Sequence, residues 1–205
     1  MDPQVNSRAI TFFDSQFQRQ VTSSDYSLNP FETAALPFLF GEVLDLGCGL
    51  GNLSIAAALK GCQVTALDGS PAAIADLTRR AKKQNLPITA AVADLRDFDI
   101  GQRFDCVICI GLLMFFPKEI AQRSLSKIAE LVKPNGIAVI NVFIQGTSYL
   151  AMTEPGQYYL FSEEELPDFF AGWTHEYQKI EAFDAPNQTV KRFCTLITRK
   201  PSHQS

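Results

Sequence analysis

Val43-Leu44-Asp45-Leu46-Gly47-Cys48-Gly49-Leu50-Gly51 decides how the chain is to be read. Residues Glu42 to Leu46 form a short apolar run bounded by a turn signal, which predicts a buried strand. Three glycines at alternate positions follow, and the run after them predicts a helix ending near Leu59, stopped by Gly61. A strand, a glycine loop and a helix in that order let a backbone turn tightly and lie close against a ligand.

The same alternation continues outward. Gln63 to Leu67 predicts a second strand ending at Asp68. Ser70-Pro71 then reads as an N-cap with Pro at the first helical position, opening a helix to about Gln84. Ile88 to Val92 is a third strand and Phe104 to Ile110 a fourth. Pro117 opens a helix to about Val132, and Lys133-Pro134-Asn135-Gly136 reads as a turn before a fifth strand, Ile137 to Phe143. Ser162 and Glu165 have capping-box spacing for a short helix. Thr174 to Glu181 and Lys191 to Arg199 read as an antiparallel pair around Asp184-Ala185-Pro186-Asn187. Alternating strands and helices imply a mainly parallel sheet.

The loops hold the candidate chemistry. A glycine loop of this kind also serves nicotinamide and flavin proteins, whose fingerprint is GxGxxG. Here its last slot is Asn52, and the third glycine falls one residue early, at Gly51. Asp45, two residues before the first glycine, is also atypical of dinucleotide binders. Asp68, ending strand two, is placed to accept both hydroxyls of a ribose, and Asp94, after strand three, an adenine amino group. Any one of them could be a plain N-cap or loop carboxylate. All three fall at the carboxyl ends of successive strands, where open α/β sheets bind ligands.

DLGCGLGNLS, VTALDGSP, VADL, FDCVICIGLLMFFP and LVKPNGIAVI resemble the ordered motifs of class I S-adenosylmethionine-dependent methyltransferases. The resemblance implies a Rossmann-like α/β fold: a seven-stranded, mostly parallel sheet with its last strand antiparallel and helices on both faces. It implies S-adenosyl-L-methionine as cofactor, contacted by Asp45, Gly47, Cys48, Gly49, Gly51, Asp68, Gly69, Ser70, Asp94, Leu95, Ile110 and Gly111. A narrower likeness, carried by Leu113 to Phe116, Phe161 to Leu166, Gly172-Trp173 and Arg192 to Lys200, is to tellurite-resistance methyltransferases, which act on chalcogen oxyanions. That group carries His and Arg before its last strand, whereas residues 182–190 here hold neither; Asp184 is the only ionisable residue among them.

The expected reaction is therefore methyl transfer to a small-molecule acceptor, an oxyanion, thiol or other small nucleophile. Alignment alone can supply about 7–11 kcal/mol to such an in-line displacement, and no residue stands out as a general base. Tyr26, Met114, Phe115, Tyr149 and Arg192 are the candidate acceptor-side residues, although aromatic core filling explains the tyrosines equally well. The lack of oxyanion-binding cations favours a neutral or soft acceptor near Met114 and Phe115, with tellurite a poor substrate. A non-catalytic cofactor-binding regulator is the alternative.

The remaining features set limits. The 205 residues fit one domain: a helical lid over 1–40, with Tyr26 to Phe31 above the cleft, a cofactor core over 41–143, and a substrate-side segment with a C-terminal hairpin over 144–205. No apolar run reaches membrane-spanning length and no secretory pattern opens the chain, so a cytoplasmic protein without a membrane partner is expected. A net charge of −4 argues against a nucleic-acid partner. Five cysteines read as free thiols, with Cys106 and Cys109 on opposite faces of one strand. His175 and His203 are too few for a histidine metal site. The chain is expected to be a monomer or a homodimer.

Overall fold

The structure, a computed structural model, describes residues 8–202; the ends of the expected lid and hairpin, and His203, lie outside the described residues. Seven strands form one sheet: β1 (Glu42–Leu46), β2 (Gln63–Asp68), β3 (Ile88–Val92), β4 (Phe104–Ile110), β5 (Val132–Phe143), β6 (Thr174–Ala185) and β7 (Thr189–Arg199). Their order is β3-β2-β1-β4-β5-β7-β6. The first five pair in parallel, and β7 runs antiparallel to both β5 and β6, as expected. From β1 the chain steps outward to β3 and returns to β4 on the other side of β1. That reversal leaves a crevice above the carboxyl ends of β1 and β4.

The helices are α1 (Arg8–Ser23), α2 (Pro30–Ala35), α3 (Asn52–Leu59), α4 (Pro71–Lys83), α5 (Lys118–Leu131) and α6 (Glu165–Phe169). Strand residues alternate between two apolar layers. Val43, Val64, Ile108 and Val139 pack against Leu53 and Ala57 of α3 and Ile74 and Leu77 of α4. Leu44, Leu46, Val107 and Ile140 pack against Leu125 and Ile128 of α5 and Leu166 of α6. Burial on both faces is why these strands read as continuous apolar runs. Cys106 belongs to the first layer and Cys109 to the second, and all five thiols are free and buried.

Two local expectations change. Glu165 does reach back to the Ser162 N–H (3.3 Å), but α6 starts two residues later than the capping box required, and among the described residues no side chain caps it. The Glu165 carboxylate also accepts from the Tyr159 hydroxyl, which draws it toward the core. Residues 133–136 do not simply join helix to strand. They form an irregular stretch of β5, where the register with β4 jumps from Phe104↔Val132 to Cys106↔Ile137. Lys200 pins this stretch. Its N–H donates to Gly136 O (2.9 Å), and its buried ammonium caps the end of α5 through Ala129 O (2.7 Å) and Val132 O (2.9 Å).

A Cβ on Gly136 would stand 2.7 Å from Asp105 O and 2.8 Å from Lys133 O, both backbone atoms that cannot swing aside. Gly136→Ala is therefore expected to cost roughly 1–3 kcal/mol in urea unfolding. Gly101→Ala, where a Cβ meets nothing within 4 Å, is expected to stay within about 0.5 kcal/mol of the parent. Equal costs at the two sites would show that β5 adapts at its irregular stretch.

Candidate functional site

The glycine loop is built around one carboxylate. Gly47, Gly49 and Gly51 all have positive φ, which turns successive N–H groups toward the end of β2. The Gly47 and Cys48 N–H groups donate to Leu67 O (2.8 and 3.1 Å), and the Gly49 N–H donates to Asp68 Oδ2 (2.8 Å). The other Asp68 oxygen accepts from the Ser70 N–H (2.8 Å). Burial pushes the Asp68 carboxyl above its usual pKa, the Ser70 and Gly49 N–H groups oppose that, and the nearby Asp14 charge adds to it. Gly51 has a separate role. A Cβ there would lie 2.5 Å from Leu77, so its absence lets α3 close on α4.

Asp45 does not face the crevice. It is 4% exposed, on the α3 side of β1, where its Oδ2 accepts from the Ser54 hydroxyl (2.6 Å). It braces the start of α3 from below. Burial first, then the charges of Glu32 and Asp68, pushes its pKa up to about 7 against the Ser54 hydrogen bond. Burial also holds the adjacent Cys48 thiol well above its ordinary pKa.

Beyond β3 and β4 the expected residues divide. The Asp94 carboxylate is occupied by the Arg96 guanidinium (Nε–Oδ1 2.9 Å, Nη2–Oδ2 2.5 Å), which lowers its pKa. The Leu95 side chain turns into the core. Gly111, with φ of 69°, has open space where a Cβ would stand, and its N–H donates to Asn141 O (3.0 Å).

α1 lies over the crevice, and of the expected Tyr26 to Phe31 segment Ser27 O accepts from Asn52 Nδ2 (3.4 Å) just beyond the glycine loop. One helix face touches three loops. Phe17 lies on Gly49, its Cζ 3.0 Å from where a Cβ would be. Asp14 accepts from the Ser70 hydroxyl (2.5 Å). Phe13 packs edge-on against Phe115 (5.4 Å between centroids). Tyr26 instead lies under the Arg80 guanidinium (4.1 Å), away from Met114 and Phe115.

Met114, Phe143 and Met152 form a buried cluster, with Phe12, Phe13, Phe115, Tyr149, Leu160 and Phe193 packed around it. The sequence placed Met114, Phe115 and Tyr149 here, and the structure brings them together. Arg192 is elsewhere. Side chains alternate along β7, so it points opposite to Phe193, and its guanidinium is held by Glu163 Oε1 (2.5 Å) and Gln145 O (2.7 Å). Asn141 was missed. It lies one strand position pair below Phe143 on the same face, buried, its amide donating to Thr195 Oγ1 (2.9 Å). Among the described residues its Oδ1 has no hydrogen-bond partner. No cluster of three or more His, Cys, Asp or Glu suited to a metal exists among the described residues.

The fold and the glycine loop point to one class: residues 43–136 match the family described as the methyltransferase domain. Among particular proteins, the chain is 28% identical over 165 residues to the probable S-adenosyl-L-methionine-dependent methyltransferase TehB of Haemophilus influenzae. That match takes in 78% of this chain and 57% of the relative, so the chain spans little more than half of the relative's length. The crystal structure of Haemophilus influenzae TehB superposes with a TM-score of 0.75 at 22% identity, covering 88% of this chain and 65% of that one. The N-methyltransferase NodS of Bradyrhizobium japonicum, in complex with S-adenosyl-L-homocysteine, gives 0.68 at 17% identity, over 92% and 98%.

Asp45 provides a test of the loop's support. Its pKa is raised on folding, so its contribution to stability is fully present below the ordinary carboxyl pKa of 3.8 and is lost as pH rises through about 7. Relative to Asp45→Asn, which cannot ionise, the parent protein is expected to lose urea resistance between pH 5 and pH 8. A gap between the two proteins that does not change over that interval would place the Asp45 carboxyl in water.

Proposed function

We propose that this chain is an S-adenosyl-L-methionine-dependent methyltransferase acting on a small, mainly apolar acceptor. The observation that carries the reading is the glycine loop tied by its Gly49 N–H to Asp68 at the carboxyl end of β2. The residues present fit the cofactor. Gly49 has no side chain to hold a ligand off its backbone, and among the described residues the Phe17 ring alone stands against it. Asp68 keeps lone pairs for ribose hydroxyls beyond those used by Gly49 and Ser70. Gly47 and Gly49 would lie along the methionine part, Ile110 and Gly111 opposite, and the Leu95 backbone beside the adenine. Asp94 is engaged with Arg96 and would have to release it to contribute.

When bound, the cofactor supplies an activated methyl on a sulfonium centre. The chain's own residues need only align an acceptor with it and exclude water. Phe13 and Phe17 of α1 close the crevice, and the partly buried Phe115 and Phe193, backed by the buried Met114 and Phe143, offer an apolar, polarisable surface. A soft or neutral nucleophile suits that surface and requires no strong base. Tyr159 is not suited to be one: burial, with the Glu165 hydrogen bond, pushes its pKa up to about 12. Arg192 faces away and is paired, so an oxyanion finds no free guanidinium in the cluster. We extend the proposal to a cytoplasmic protein; among the described residues no helix is long and apolar enough to cross a membrane.

Calorimetry is expected to show binding of S-adenosylmethionine and S-adenosylhomocysteine but not NAD. NAD binding without either sulfur nucleoside would defeat the proposal. Asp68→Ala removes hydrogen bonds to a charged acceptor, worth roughly 1.5–3 kcal/mol, and is expected to weaken cofactor affinity about 10- to 150-fold. Phe17→Ala uncovers Gly49, and stopped-flow association of S-adenosylhomocysteine is expected to be faster than in the parent. An unchanged association rate would show that the Phe17 ring does not limit entry.

A further inference from the structure

The rings beside the glycine loop continue as a series across the molecule. Phe17 stacks on Phe13 (6.0 Å), Phe13 meets Phe115 (5.4 Å), Phe115 meets Phe143 (6.3 Å), and Phe143 meets Phe193 of β7 (4.7 Å). Lys191 stands two residues before Phe193 and so shares its face of the sheet, opposite to Arg192. Across the ladder Lys191 pairs with Phe183, whose ring packs on Phe193 (5.9 Å). The Lys191 ammonium lies 4.6 Å from the centroid of the Tyr149 ring, and Tyr149 packs against the Met114 cluster. The two neighbouring cations of β7 thus have opposite situations. Arg192 is neutralised by Glu163 on the far face. Lys191 is half-buried at the outer end of the ring series, and among the described residues no carboxylate pairs with it.

We propose that Lys191 selects an acceptor of stated form: a ring-bearing, apolar body carrying one carboxylate, which the ammonium holds at the end remote from the glycine loop. The inference rests on the methyltransferase reading for the meaning of "acceptor", and it names the substrate class of that site. The partly buried rings at the rim of the cluster, Phe115, Tyr149 and Phe193, take the body, and its nucleophilic atom lies toward Phe115. Partial burial of Lys191 depresses its pKa, in keeping with an ammonium that lacks a counter-ion. A carboxylate brought to this position restores the missing charge partner in a setting where water competes poorly. Tyr149 contributes its ring face to the ammonium, and the partial exposure of Lys191 leaves room for an anion beside it. Specificity then comes from one attractive pair at the rim, while the paired Arg192 offers no competing site on the same face.

The test is binding of a matched pair of probes, 6-hydroxy-2-naphthoate and 6-hydroxy-2-naphthamide, measured by calorimetry with and without S-adenosylhomocysteine. The parent protein is expected to bind the naphthoate at least about tenfold more tightly than the amide. Lys191→Met is expected to abolish that preference, Lys191→Arg to retain most of it, and Arg192→Met to leave it intact. S-adenosylhomocysteine affinity is expected to be the same in all four proteins. Equal binding of the two probes by the parent, binding of neither, or a preference that survives Lys191→Met or disappears in Arg192→Met overturns the proposal. If S-adenosylhomocysteine does not bind while the Lys191-dependent preference stands, the methyltransferase reading falls and the carboxylate site remains.

Discussion

Two backbone N–H groups, one from Gly49 and one from Ser70, converge on the two oxygens of Asp68. The first belongs to the glycine loop after β1, the second to the N-terminus of α4 after β2. A single carboxylate thereby fixes two loops against each other at the mouth of the sheet. The connection goes on through Ser70. Its hydroxyl accepts the Ala73 N–H (3.1 Å), capping α4, and donates to Asp14 of α1. Strand end, glycine loop, helix start and covering helix are thus linked through one residue. Without it the Gly49 and Ser70 N–H groups lose their common partner, while Gly47 and Cys48 keep theirs at Leu67 O.

Much of this was legible in the residues because the sheet is buried on both faces. Val43 and Leu44 point to different layers, yet both are fully enclosed, so the strand announces itself as an apolar run. Helix starts were legible where chemistry is local: Ser70 does cap α4. The carboxyl ends of β1 and β2 were found because glycine and aspartate there have conformational and hydrogen-bonding properties that strands themselves do not need.

What escaped depends on contacts distant in sequence or on parity. Phe13, Asp14 and Phe17 have no pattern of their own; they matter because α1 folds back across loops more than thirty residues away. Arg192 could face either way until the register of β7 fixed it opposite to Phe193. Asp94 and Arg96 are two residues apart, a spacing that could have warned that the carboxylate is already engaged. Asn141 carried a signal too, since an amide inside Ile140-Asn141-Val142 interrupts the otherwise apolar stretch from Ile137 to Phe143 that the fold buries completely.

On the proposed methyltransferase reading, the five thiols share the protein with an alkylating reagent. A sulfonium methyl donor reacts with whatever nucleophile is deprotonated and within reach, and cysteine is the most reactive candidate a protein supplies. Cys48 sits inside the glycine loop itself, next to the place proposed for the donor. Its thiol is buried and held in the protonated form by the low polarity around it and by the charges of Asp45 and Asp68. Cys106, Cys109 and Cys194 are likewise enclosed, with pKa values raised by burial. The fold therefore protects the chain from self-modification by the same burial that makes its core, and keeps the most nucleophilic atom near the reagent for the substrate rather than for itself.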